Sequence, residues 1–196
     1  MLCKKEACTG CAACYNACPY NCISMKRDEE GFLYPIIDSD NCKYCGICKE
    51  VCPSINFKKI NEQPQPDVYV CWNNDENIRK ASSSGGVFFS IAQAIIRSGG
   101  VVFGAVYNNN FKVVHDIAKT EDECKRFFGS KYVQSEIGDC YRQVQNYLKQ
   151  GKYVLFSGTP CQVAGLYAFL KKDDEKLLTC DFVCHGVPSP GVFEDY

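Results

Sequence analysis

The chain has 196 residues, 46% hydrophobic and 23% charged, with a formal net charge of −1. That length buries a core as one medium domain or two small ones, and the near-neutral balance without a basic stripe argues against nucleic acid as a partner. The opening "MLCKKEACTG" has no apolar leader, and runs such as "VVFGAVY" are too short to cross a bilayer, so a cytoplasmic, non-spanning protein is expected.

Sixteen cysteines are the outlier. Without a secretory leader they point to metal binding or redox chemistry rather than disulfides. Cys8, Cys11, Cys14 and Cys18 follow C-x2-C-x2-C-x3-C-P, and Cys42, Cys45, Cys48 and Cys52 repeat it. This is the spacing of bacterial ferredoxins that carry two cubane clusters. Three cysteines at x2 intervals let one tight loop wrap three corners of a cube. The fourth, before proline, is carried to the other cube. Cys8, Cys11, Cys14 and Cys52 are therefore expected to hold one [4Fe–4S] cluster, and Cys42, Cys45, Cys48 and Cys18 the second. Replacing Cys18 should then harm mainly the second cluster. Structural zinc usually pairs two C-x2-C knuckles and needs four thiolates, which fits eight poorly.

Between the two runs, "GFLYPIID" reads as a short strand after a turn at Asp28, Glu29 and Glu30. Cys3 and Cys22 fall outside the pattern, and Cys22 reads as a packed thiol. Residues 1–57 thus form an α+β ferredoxin-like domain with two [4Fe–4S] clusters. The polar stretch "FKKINEQPQPDVY", with Pro64 and Pro66, marks a linker over 58–67.

Helical and strand patterns then alternate, giving an α/β domain expected as two parts, 68–150 and 151–196. "SSSGGVFFSIAQAIIRSGG" has apolar positions at one-faced helical spacing from Val87 to Ile96, stopped by Gly99 and Gly100. Strands are expected at Val101–Tyr107 and Lys112–Ala118, and "TEDE" at Thr120–Glu123 opens a short capped helix ending near Phe128. A helix is expected over Ile137–Gln150. Strand Tyr153–Ser157, helix "PCQVAGLYAFLKK" and strand Leu177–Val183 then make a βαβ unit with parallel, adjacent strands.

The carboxyl ends of such strands open on one crevice, where open α/β sheets bind ligands. Cys161 lies at one end, and Cys184 and His185 at the other. Thr159 is the expected N-cap and Pro160 the first helical residue, so a Cys161 thiolate sits at a helix N-terminus. Cys71, Cys124, Cys140 and Cys180 read as ordinary buried thiols. "SSSGG" at Ser82–Gly86 offers amides and close backbone approach to an anion such as a flavin pyrophosphate. No G-x-G-x-x-G is present.

"SSSGGVFFSIAQAIIRSGGVVFGAVY", "GSKYVQS", "GTPCQVAGL" and "DFVCHGVPSP" together resemble the coenzyme F420 hydrogenase/dehydrogenase beta-subunit family. The ferredoxin pair in front resembles the arrangement in its bacterial members. The resemblance implies an iron–sulfur flavoprotein oxidoreductase with FAD and a further [4Fe–4S] cluster. Electrons would pass between clusters, flavin and a small hydride donor or acceptor, the deazaflavin being one option. It also implies a redox partner protein or hydrogenase/dehydrogenase-type subunits. Carried over, Ser83, Ser84, Gly85 and Gly86 would hold FAD phosphate or ribityl groups. Gly129, Ser130 and Lys131 would border the flavin, with Gly158, Thr159 and Pro160. Cys161 and Cys184 would be candidate ligands of the extra cluster. Family members usually continue beyond "CHGVPSP", so the chain reads as a shortened form or a fragment. A ferredoxin fused to a docking domain with no active site of its own is the alternative reading.

Overall fold

A computed structural model describes residues 2–56 and 66–196. Most of the linker expected over 58–67 lies outside the described residues. The first cysteine run turns at Gly10 (φ 66°) and Ala12 (φ 60°) and ends in helix α1 (Ala13–Ala17). Strands β1 (Ile23–Arg27) and β2 (Leu33–Ile37) pair antiparallel, from Ile23↔Ile37 to Arg27↔Leu33. Asp28 makes the turn between them, its Oδ1 accepting the N–H groups of Glu30 (3.1 Å) and Phe32 (2.9 Å). The second run turns at Gly46 (φ 80°) into helix α2 (Ile47–Glu50).

The larger part opens with helix α3 (Glu76–Ala81), capped by Asp75, and helix α4 (Val87–Arg97). Strands β3 (Val101–Tyr107) and β4 (Val113–Ala118) form a hairpin. Helix α5 (Glu121–Cys124) starts where Thr120 Oγ1 accepts the Glu123 N–H at 3.2 Å. Helix α6 (Cys140–Lys149), strand β5 (Val154–Ser157), helix α7 (Pro160–Leu170), strand β6 (Leu177–Cys180) and helix α8 (Pro190–Asp195) follow. The sheet order is β4-β3-β5-β6, with β3–β5 and β5–β6 parallel. The expected parallel βαβ unit is therefore present.

Several expected boundaries move by a few residues, and two of the shifts have a visible cause. The last strand stops at Cys180 rather than Val183, because its partner β5 ends at Ser157, opposite Cys180, and turns into α7. The helix expected from Ile137 starts at Cys140, after Gly138 takes φ 53°. Cys124 and Cys140 are buried as expected, Cys180 is half-buried, and Cys71 is exposed.

Successive strand residues face opposite sides of the sheet. Val102 and Leu155 face α4 and α5 in one apolar cluster with Phe89, Ala92 and Cys124. Val101, Phe103, Val154 and Phe156 face the other way, onto α6 and α7. Ala12, Ala13 and Val51 of the ferredoxin part lie in that second cluster. The small part thus shares a core with the large one.

Polar contacts lock this seam. Arg142 of α6 donates to the carbonyls of Asn16 (2.7 Å), Tyr15 (3.0 Å) and Cys18 (3.4 Å), and to Asn21 Oδ1 (3.0 Å). Asn16 answers by donating to the Gly138 carbonyl at 2.9 Å. At the far side, the Ser189 hydroxyl donates to the Glu30 carbonyl, and Gly31 (φ 84°) meets Gly191 so closely that a Cβ on Gly31 would stand 2.6 Å from the Gly191 Cα. Charge-assisted bonds from a guanidinium fork are worth more than neutral ones. Arg142→Ala should therefore lower unfolding stability by about 2 kcal/mol, with Arg142→Lys recovering little because an ammonium cannot span four acceptors. Urea unfolding of the iron-loaded protein checks this.

Candidate functional site

The cysteines gather into two groups. Cys8, Cys11, Cys14 and Cys52 line one hollow, together with Cys3. Cys18, Cys42 and Cys48 lie in another packed group, with Cys22, Leu2 and Ile23. Cys45 lies close enough for its charge to act on Cys48. Cys52 thus lies with the first run's loop and Cys18 with the second, while Cys14 borders both groups.

Burial pushes the Cys11 thiol up to about 11 and that of Cys14 up to about 12. Burial raises Cys48 too, with the charges of Cys45 and Cys18 adding to it. Cys18 is lowered: burial opposes this but is outweighed by hydrogen bonds from the Cys22 backbone N–H and thiol and from the N–H groups of Tyr20 and Asn21. Several thiols crowded in a low-dielectric hollow become thiolates only beside a strong positive charge, which iron supplies. Among the described residues no three Cys, His, Asp or Glu side chains converge on a point that would hold a single ion. Cys8, Cys11, Cys14 and Cys52 line a common hollow, which supplies four thiols for the four corners of a cube. The residues fit [4Fe–4S] ligation.

The α/β part brings a second region close to the first hollow. Thr159 caps α7, its N–H donating to Gln162 Oε1 at 2.9 Å, and Pro160 is the first helical residue. Thr159 Oγ1 lies 3.1 Å from Cys161 Sγ. One turn on, Gly165 packs onto the cluster loop, where a Cβ would meet Cys11 Sγ at 3.1 Å and Tyr141 Oη at 2.9 Å. Residues four apart share a helix face, so Cys161 looks the same way. It is near enough for its charge to raise Cys11.

The expected flavin residues are placed in two sets. The Ser130 N–H and hydroxyl donate to Ser83 Oγ at 2.8 and 3.0 Å, joining the Ser83–Gly86 turn to Gly129–Lys131. Lys131 donates to the carbonyls of Phe128 (2.8 Å) and Arg126 (3.2 Å), and burial lowers its ammonium to about 8. Ser84 lies in the same turn, and Gly85 has the Cys71 carbonyl 2.9 Å from where its Cβ would be. Gly158, Thr159 and Pro160 are held by other contacts, with the Gly158 N–H donating to the Cys180 carbonyl at 3.3 Å. Such glycine-lined backbone, with serine hydroxyls and a lysine nearby, suits a phosphate-bearing cofactor. Cys184 is half-buried and His185 exposed in the loop after β6.

Two organising residues gave no signal in the sequence. Arg142 is one. His115 is the other: it is buried in β4, stacks on Phe156 with centroids 5.3 Å apart, and joins Ser135 Oγ (2.7 Å) to the Ser157 carbonyl (3.0 Å). It fixes the end of β5 where the Gly158–Pro160 turn begins. A lone histidine in an alternating strand carries no pattern that would reveal this.

Comparison with known proteins gives three family matches in chain order. Residues 7–56 match the 4Fe-4S dicluster domain, residues 68–140 the N-terminal part of the coenzyme F420 hydrogenase/dehydrogenase beta subunit, and residues 151–196 its C-terminal part. The chain belongs to the coenzyme F420 hydrogenase/dehydrogenase beta-subunit family. As a member of that family it carries a ferredoxin-type 4Fe-4S domain, which makes it an iron–sulfur protein of the electron-transfer type. An uncharacterized ferredoxin of Methanocaldococcus jannaschii is 39% identical over 53 residues, covering 27% of this chain and 74% of that relative. The pyruvate synthase subunit PorD of Methanothermobacter marburgensis is 41% identical over 59 residues, covering 30% of this chain and 63% of that relative. A chain of the F420-reducing [NiFe] hydrogenase complex from Methanosarcina barkeri superposes with a TM-score of 0.52 at 18% identity. That match covers 65% of this family member and 48% of the hydrogenase chain, so it shows a shared fold over about half of the longer protein. Among the described residues no helix is long and apolar enough to cross a membrane.

The buried imidazole of His115 makes this family member sensitive to acid. Burial holds His115 down to about 4, against an ordinary value near 6.5. The unfolded chain takes up a proton as pH falls below about 6.5 while the folded chain does not, so stability present above that pH is lost between about 6.5 and 4. Urea unfolding should show about 2 kcal/mol lost between pH 6.5 and 5 through this group, and His115→Asn should lack that loss.

Proposed function

We propose that the chain is an electron-transfer oxidoreductase module in which two [4Fe–4S] clusters serve a flavin held by the α/β part. Cys8, Cys11, Cys14 and Cys52 hold one cluster, and Cys42, Cys45, Cys48 and Cys18 the other. Ser83–Gly86, Gly129–Lys131 and Gly158–Pro160 hold FAD, with residues 1–57 as the ferredoxin domain and 68–150 and 151–196 as the flavin-binding part. When bound, clusters carry single electrons and a flavin converts these to the two-electron currency of a small hydride donor or acceptor. The deazaflavin of the family name is one such molecule.

The observation that carries the reading is the seat of α7 on the first cysteine loop. Gly165 has no side chain, so Cys11 lies directly against the helix whose first turn holds Thr159, Pro160 and Cys161. The hollow and the carboxyl rim of the sheet are thus neighbours. Buried Ala12, Ala13, Tyr141 and Val163 exclude water from the contact between them. Arg142 and Asn16 fix its register. On the other side, the Ser83 hydroxyl, which accepts from Ser130, keeps its own proton to donate to an anionic cofactor, and Lys131 keeps one N–H beyond the two it gives to carbonyls.

In this reading the chain takes electrons from, or gives them to, a redox partner protein or hydrogenase/dehydrogenase-type subunits. Protein purified without oxygen should hold about eight irons and one flavin, and Cys14→Ser and Cys45→Ser should each leave about four irons. Gly85→Val, which forces a side chain onto the Cys71 carbonyl, should lose the flavin and keep the iron. Iron, sulfide and extracted-flavin assays read both. Full iron with no flavin in any preparation would favour a carrier with a docking domain instead.

A further inference from the structure

Cys22 belongs to neither cysteine run, and although it packs beside Leu2 and Ile23 its thiol also meets another sulfur. Its sulfur lies 3.4 Å from that of Cys18, and Cys42 stands in the same packed group. The backbone holds it there. Cys22 precedes β1, its carbonyl accepts the Asp38 N–H at 2.8 Å, and the Asp38 carbonyl in turn accepts the Cys42 N–H at 3.0 Å. One short hydrogen-bonded chain therefore ties Cys22 to the loop of the second cysteine run. Both Cys18 and Cys22 are buried, so neither sulfur is free to turn to solvent. The first hollow repeats the arrangement, with Cys3, also outside both runs, lining it beside Cys8 and Cys52.

We propose that Cys22 is a reserve ligand for the cluster corner that Cys18 holds. The inference rests on the two-cluster reading above. The Cys22 thiol, 3.4 Å from the Cys18 sulfur, stands one sulfur–sulfur contact from the corner that Cys18 would hold. In such an exchange the Cys22 sulfur would bond the iron as the iron–Cys18 bond breaks, and the proton Cys22 gives up would pass directly to the departing Cys18 sulfur, its hydrogen-bond partner at 3.4 Å. No electron is transferred and the cluster keeps its charge. The second cluster thereby survives loss or chemical blocking of Cys18, which a four-thiolate site would not.

The test uses the full chain, loaded with iron without oxygen. Cys18→Ala should keep about eight irons, with an altered electron-paramagnetic signal from one reduced cluster. Cys22→Ala should also keep about eight, and Cys18→Ala/Cys22→Ala should fall to about four. Cys18→Ala at about four irons, with a native far-ultraviolet dichroism spectrum, would overturn the proposal. Should Cys18→Ala not fold, the rate of iron release to a chelator decides. Cys22→Ala should then release half its iron several-fold faster than the unaltered protein, because nothing replaces a detached Cys18, and equal rates would overturn the proposal. An unaltered protein that never holds more than four irons would defeat the two-cluster reading itself, a separate result.

Discussion

The close contact between the first cysteine loop and helix α7 is the constraint on which the rest of the molecule depends. It needs a glycine at 165, because any side chain there would collide with Cys11 or the Tyr141 hydroxyl. Once the surfaces meet, Ala12 and Ala13 join Val154, Phe156 and Leu166 in one dry cluster. Separating the two parts would expose that apolar surface and strand the Arg142 fork and the Asn16 amide without partners. Hydrophobic burial and unsatisfied polar groups therefore act in the same direction.

This seam ties the iron-binding end to the sheet. The cysteines themselves are held by tight turns at Gly10, Ala12 and Gly46, all in the left-handed region. Helix α7 then orients Cys161 and the Gly158–Pro160 turn beside them, and His115 pins the strand that leads into that turn. The loop after β6 closes on the opposite side, where Ser189 and Gly191 meet the β1–β2 turn. The contact at α7 and the contact at Ser189 and Gly191 join the small part to the large one through groups far apart in the chain.

What could be read in the sequence follows from this distinction. The cysteine runs and the βαβ unit were legible because their signals are local: fixed thiol spacing, apolar strands, and Thr159–Pro160 at a helix start. The α4 helix and the β3–β4 strands were legible for the same reason. Strand β1 and the four- to six-residue helices α1, α2, α3 and α8 were not, since so few residues show no periodicity. Arg142 and Asn16 are 126 residues apart, and no pattern at either position announces the other. Cys22, read as a packed thiol, is buried with Leu2 and Ile23, and its position outside the ferredoxin spacing does not announce that it lies 3.4 Å from the Cys18 sulfur. Cys71 was expected inside and lies outside, as do Val68, Tyr69, Val70 and Trp72 of the same apolar run.

The central claim is that iron binding and the α/β sheet are mechanically one unit joined at α7. Hydrogen–deuterium exchange of the full chain, with iron and after its anaerobic removal by a chelator, tests this most directly. The account predicts that amides of α7 and α6 lose protection together with those of α1 when iron is removed. Unchanged protection in α6 and α7, with α1 alone exchanging freely, would contradict it.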